Sequence, residues 1–238
     1  MSRGTLFLVG GINDTVIVNR LWRRWLLHAG LPHRVEVVRW QQGLLAVLTF
    51  ADLWRVPHHH ATADRLAARI RQTQADHPGE PVHVLAHSAG TAITAYALER
   101  LDPAAPPVTS AVFVGSGLSG GYDLSAALRR TAAGILSVES WLDAFYLGLG
   151  TAMLGCVDRV WGPAAGLVGF APPSDAAQAA KLVRLRWSAG RLRDGWVGGH
   201  LAVGAPGFVR SVLVPWVRQA EGSASGSGLR ANTNSSSG

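Results

Sequence analysis

The stretch VHVLAHSAGTAITAYALERL, residues 82–101, sets a strand against a helix with almost nothing between them. Residues 82–87 form an apolar, partly β-branched run of the kind that suits a strand buried on both faces. A helix-like segment follows at once, and Ser88 stands at the corner. Ala86 lies two places before it and Gly90 two places after. A residue at so short a junction takes a strained backbone conformation, which lifts its side chain above the sheet edge. The residues two before and two after then pass close to neighbouring backbone, so only small ones fit. The backbone N–H groups of the helix that opens there favour negative charge nearby.

Around this corner, strand-length apolar runs recur at residues 5–10, 35–40, 110–115, 134–140 and 181–187. Between them lie helical spacings, with Val18, Leu21, Trp22 and Trp25 in one segment and Ala63, Leu66, Ala67 and Ile70 in another. This alternation predicts an α/β fold with a mostly parallel central sheet flanked by helices, its functional loops at the carboxyl ends of the strands. Residues 141–178 are apolar and rich in Gly, Ala and Pro without a strand pattern, and are read as a helical cap insertion. The domain is expected to span 1–220. The Gly/Ser/Asn-rich segment 221–238 is expected to be a disordered tail.

Composition narrows the function classes. Hydrophobic residues are 48% of the 238 and charged residues 16%, which fits a globular chain with a sizeable core. The net charge of +7 comes from dispersed arginines, so a solvated basic surface is expected and a nucleic-acid-binding face is not. Peripheral contact with an anionic membrane remains open, and the RLWRRW run (20–25) reads as an interfacial helix or as tryptophans packed on the sheet. One cysteine, Cys156, excludes an intrachain disulfide and the common zinc-finger patterns, and it agrees with a cytoplasmic location. No run reaches about 18 apolar residues, so a soluble chain is expected. The chain lacks GxxxxGK and lacks GxGxxG after a strand, so no cofactor is expected. His58, His59 and His60 are read as a loop before a helix capped by Thr62, without a metal.

The AHSAG corner opening into TAITAYALERL, led in by ADRLAARIRQTQADHPGEPVHVL, resembles the α/β-hydrolase superfamily, especially its esterase and lipase-type serine hydrolases. The resemblance covers residues 4 to about 217 in element order. Its specific part is the elbow, where Ala86 replaces the first glycine. It implies that Ser88 is a nucleophile, followed in the chain by an acid and then a histidine. His200, in DGWVGGHLAVGAPGFVR, is the sole histidine after Ser88. The acid is expected just after the GILSVES strand, with Asp143 preferred over Asp194 and Glu139. Asp123 is better read as a helix N-terminal residue, and Asp158 lies within the cap. The oxyanion donors implied are the N–H of Ala89 and that of Gly11 or Ile12. Gly10 and Gly11 equally suit a tight turn into a helix capped by Asn13 or Asp14.

The function so implied is cleavage of a carboxylic ester, a small-molecule ester or lipid with a hydrophobic acyl group, through an acyl-enzyme. Thioesterase, amidase or peptidase chemistry uses the same machinery. A non-catalytic scaffold binding a small ligand or protein partner is the alternative from another class. Oligomeric state is not written in these patterns.

Overall fold

A computed structural model describes residues 4–12, 16–41, 52–200 and 205–233. Six strands, β1 (Thr5–Val9), β2 (Arg34–Val38), β3 (Val82–His87), β4 (Ser110–Val114), β5 (Ile135–Glu139) and β6 (Leu182–Arg186), form one sheet in the order β2-β1-β3-β4-β5-β6. Every neighbouring pair is parallel. All six coincide, within a residue or two, with the apolar runs of the sequence.

Parallel strands need crossovers, and these place helices on both faces. Strand side chains alternate, so Phe7, Val9, Val84, Ala86 and Phe113 enter one core while Leu6, Leu8, Leu85, Val112 and Val114 enter the other. The first core is closed by α2 (Val56–Asp76), α3 (Gly90–Glu99) and α4 (Ser125–Arg129). The second is closed by α1 (Val16–His28) and by the C-terminal helix α5 (Val214–Thr233), through Trp22, Leu26, Val214 and Val217. The strand order reverses direction between β1 and β3. A crevice therefore opens beyond their carboxyl ends, the usual place for a ligand in such sheets.

The structure decides one open reading and corrects two expectations. Trp22 is buried and Trp25 packs against the same core, so the arginine-flanked tryptophans face the sheet and not an interface. His58–His60 belong to α2, which starts at Val56. Pro57 occupies the first turn, where its missing N–H costs nothing, so the helix begins earlier than a proline suggests. The segment from 221 does not begin as disordered chain, because α5 runs to Thr233 and Glu221 reaches the buried His33 and His83. Asn13 and Asp14 lie outside the described residues.

Residues 141–178 contain short helical turns, Trp141–Asp143, Phe145–Gly150, Thr151–Leu154, Ala165–Val168 and Ala176–Ala179, between β5 and β6. The segment is tied to the sheet by its backbone. Ser140 N donates to Gly166 O at 2.8 Å and Gly166 N to Ser116 O at 3.0 Å. A Cβ on Gly166 would fall 2.4 Å from Ser116 N, so only glycine permits this approach. No described helix is long and apolar enough to cross a membrane.

Candidate active site

Ser88 follows β3 directly and α3 begins two residues later. Its φ of 53° is a left-handed value that a side-chain-bearing residue adopts only when its surroundings hold it there. The surroundings do so at both ends of the peptide. Ser88 N donates to Val114 O at 2.9 Å, while Ser88 O accepts from Gly117 N at 3.2 Å and from Thr91 Oγ1 at 2.6 Å. Gly90 shows why a small residue is required, since a Cβ there would lie 2.4 Å from Val9 O. Ala86 is buried between Val9 of β1 and Phe113 of β4.

His200 points its Nε2 at Ser88 Oγ, 3.0 Å away, and its Nδ1 at Asp143 Oδ2, 2.5 Å away. A carboxylate only accepts, so Nδ1 carries the proton and Nε2 presents its lone pair to the hydroxyl. Asp143 is buried and ends a single helical turn whose N-cap, Ser140, accepts from Leu142 N. The other carboxylates lie elsewhere. Glu139 is held by Nε and Nη2 of Arg184, at 2.8 and 2.9 Å, and by Arg186 at 3.2 Å. Asp194 pairs with Arg191, and Asp158 binds Ser119 through its N–H and hydroxyl. Asp123 accepts from Ser125 N just before α4. Gly115, at φ 53°, leaves room for the His200–Asp143 pair; its Cβ would come within 3.4 Å of His200 Nδ1.

The candidate oxyanion donors line the same cleft as the serine. Ala89 is buried next to it, and a Cβ on Gly117 would lie 3.4 Å from Ala89 N. A Cβ on Gly11 would meet Ser88 Cβ at 2.8 Å, so the β1 loop approaches the nucleophile as closely as glycine allows. That loop is pinned from β2's end, where Trp40 Nε1 donates to Gly10 O and Gln41 Nε2 to Gly11 O, each at 2.7 Å. With those carbonyls turned toward residues 40 and 41, the planar peptides also fix the directions of the Gly11 and Ile12 N–H groups.

Residues 12–133 match the family described as "Alpha/beta hydrolase", just over half of the chain. The chain belongs to the alpha/beta hydrolase family. No curated protein matches it. Solved structures resemble it in fold. A cutinase-like protein from Cryptococcus sp. is 16% identical, with 92% of this chain and 95% of that one covered and a TM-score of 0.50. A hydrolase of the alpha/beta superfamily from Xanthomonas campestris pv. campestris is 18% identical over 92% and 96%, at 0.49. The catalytic core of an acetyl xylan esterase from Trichoderma reesei is 14% identical over 94% and 98%, at 0.43.

Within this hydrolase fold, Ser88 and His200 lie at the foot of a cleft of about 370 Å³. Its lining is mainly apolar and includes Val18, Leu53 and, from the insertion, Phe145, Leu149, Met153 and Val157. Phe145 and Met153 are each 71% exposed at its mouth. Trp54 donates through Nε1 to Leu154 O, joining the segment before α2 to the insertion.

Two neighbours of the histidine escape the sequence pattern. The Tyr146 ring stacks on His200 at 5.1 Å between centroids and 23° between planes. His87 donates from Nε2 to the His200 main-chain oxygen at 3.0 Å. Position 87 has the same strand parity as Leu85, so its side chain faces the α1 side, beside Trp22; that parity was its only advance signal.

Proposed function

We propose that this hydrolase cleaves carboxylic esters with a hydrophobic acyl group, through an acyl-enzyme on Ser88. The observation that carries the reading is the Ser88–His200–Asp143 chain of contacts at the base of an apolar cleft. His200 Nε2 takes the serine proton as Oγ attacks the carbonyl carbon, and the buried Asp143 carboxylate steadies the imidazolium so formed. The N–H groups of Ala89 and of Gly11 or Ile12 receive the developing oxyanion. His200 then returns the proton to the leaving alcohol, and water attacks the acyl-enzyme by the same route in reverse.

The acyl chain lies against Phe145, Leu149 and Met153, where apolar area leaves water on binding. The exposed apolar rim of the insertion would rest against an aggregated ester or lipid surface, the peripheral contact proposed for this chain.

The test is turnover on p-nitrophenyl acetate, butyrate, octanoate and laurate. The expected outcome is kcat/KM rising with chain length up to the capacity of the cleft, and abolished in Ser88→Ala. Undetectable turnover across esters and matched thioesters by a folded chain contradicts the proposal and favours the ligand-binding scaffold, whereas turnover that does not vary with chain length overturns the hydrophobic acyl preference.

A further inference from the structure

At the end of β3 remote from Ser88, His83 meets two residues from distant parts of the chain: His33, just before β2, and Glu221 of α5. One ligand atom from each lies within 4.8 Å of the others. The two imidazole side chains are 0% and 2% exposed, and the Glu221 side chain is 29% exposed. Glu221 Oε1 stands 2.8 Å from His33 Nε2 and 3.4 Å from His83 Nε2.

The directions of these groups matter more than their distances. His83 Nδ1 lies 2.9 Å from Ser110 Oγ; with that nitrogen donating, the Nε2 lone pair is turned toward the carboxylate. A cation placed between that lone pair and the carboxylate oxygen would be held by both. His33 Nε2 is in close polar contact with Glu221 Oε1, while its Nδ1 is buried without a hydrogen bond to any described residue. The three ligand atoms are close enough together to share one ion. A tetrahedral zinc ion with bonds of about 2.0–2.1 Å holds its ligands roughly 3.3 Å apart.

We propose that His33, His83 and Glu221 form a binding site for a divalent transition-metal ion, with zinc the best match, that fastens α5 to the sheet. Two imidazoles and one carboxylate suit zinc and disfavour the oxygen-seeking calcium and magnesium. Ser110 supplies the outer hydrogen bond that fixes the orientation of one ligand ring. A groove of about 630 Å³, lined by Glu221, His77 and Glu80, leads from solvent to the carboxylate. The site lies five residues along the strand from Ser88, roughly 16 Å at strand rise, so its role is structural. Residues 33, 83 and 221 are far apart in sequence, and joining them restrains most of the chain.

The test uses tag-free full-length protein, stripped with chelator and titrated with Co²⁺ and then Zn²⁺. One equivalent of Co²⁺ is expected to give the visible absorption of a four-coordinate ion, which Zn²⁺ displaces. Zinc at a hundred times its dissociation constant should shift the folding equilibrium about 100-fold toward the native state, read as a raised Tm. Glu221→Gln and His33→Gln, each shown to be folded by far-UV circular dichroism, should weaken binding at least 100-fold, and Ser110→Ala about 10–100-fold. The wild-type titration stands even if a variant does not fold. Absence of both the cobalt spectrum and the zinc-dependent Tm shift overturns the proposal. So does stoichiometric binding that survives loss of all three side chains, which would place the ion elsewhere, for example on the His58–His60 run.

Discussion

The side chain of His87 is hydrogen-bonded to the backbone of His200, Nε2 to main-chain oxygen at 3.0 Å, with the two rings 4.8 Å apart. The residue beside the candidate nucleophile thus holds the loop that carries the candidate base, and ties β3 to a segment more than a hundred residues later. Replacing it with Ala should let the base drift. A displacement of about 1 Å costs on the order of 100-fold in rate, so kcat should fall by about 10–100-fold with KM little changed. His87→Gln retains a donor and should recover part of the loss. Equal loss in both variants would assign His87 a packing role only.

The carboxylates separate cleanly by their partners. Asp143→Asn should lower kcat by about 10⁴-fold, because the amide no longer holds the Nδ1–H tautomer. Glu139→Gln should leave kcat within a few-fold but cost about 1–3 kcal/mol of stability, since it leaves the Arg184 guanidinium without its charge partner. Steady-state kinetics and urea denaturation of the two variants side by side check both halves. A large kcat loss in Glu139→Gln with Asp143→Asn active would reverse the assignment.

Gly90→Ala should destabilise by about 1–3 kcal/mol or more, because its Cβ must displace the β1 backbone at Val9 O. Gly121→Ala is the matched control. Its Cβ would meet nothing within 4 Å, and it should stay within about 0.5 kcal/mol of wild type. Chemical denaturation of both variants gives the comparison.

Burial raises the Glu99 carboxyl above its usual range, although Tyr122 donates to it at 2.7 Å and Arg100 lies nearby. A raised folded-state value means that protonation favours the native state. This contribution is present at acid pH and is lost as pH rises through the folded value. Glu99→Gln keeps an acceptor for Tyr122 without the charge. It should therefore be more stable than wild type at pH 7, with the difference shrinking as pH falls toward the ordinary carboxylate range. Thermal melts across that interval test the sign, and a difference that grows on acidification contradicts it.

Much of this was legible in the sequence because both-face burial makes a parallel strand a continuous apolar run, as at 82–87 and 110–114. Ser88 was marked by the small residues its corner demands, and His200 by being the sole histidine downstream. Asp143 was harder. Three carboxylates were in contention, and which one meets His200 depends on the single turn that Ser140 caps after β5. His58–His60 looked like loop because Pro57 breaks helices in general, though not in a first turn. His33, His83 and Glu221 share no local spacing at all; only the sheet and the docking of α5 bring them together, and the Gly/Ser-rich composition after Glu221 concealed the helix.

The most direct test of the central claim is reaction with a fluorophosphonate probe, followed by intact mass and peptide mapping, on wild type, Ser88→Ala and His200→Ala. The account predicts one adduct on wild type, located on Ser88, none on Ser88→Ala, and labelling slowed by orders of magnitude in His200→Ala. A folded wild type that does not react, or an adduct on another residue, would contradict an activated serine at this corner.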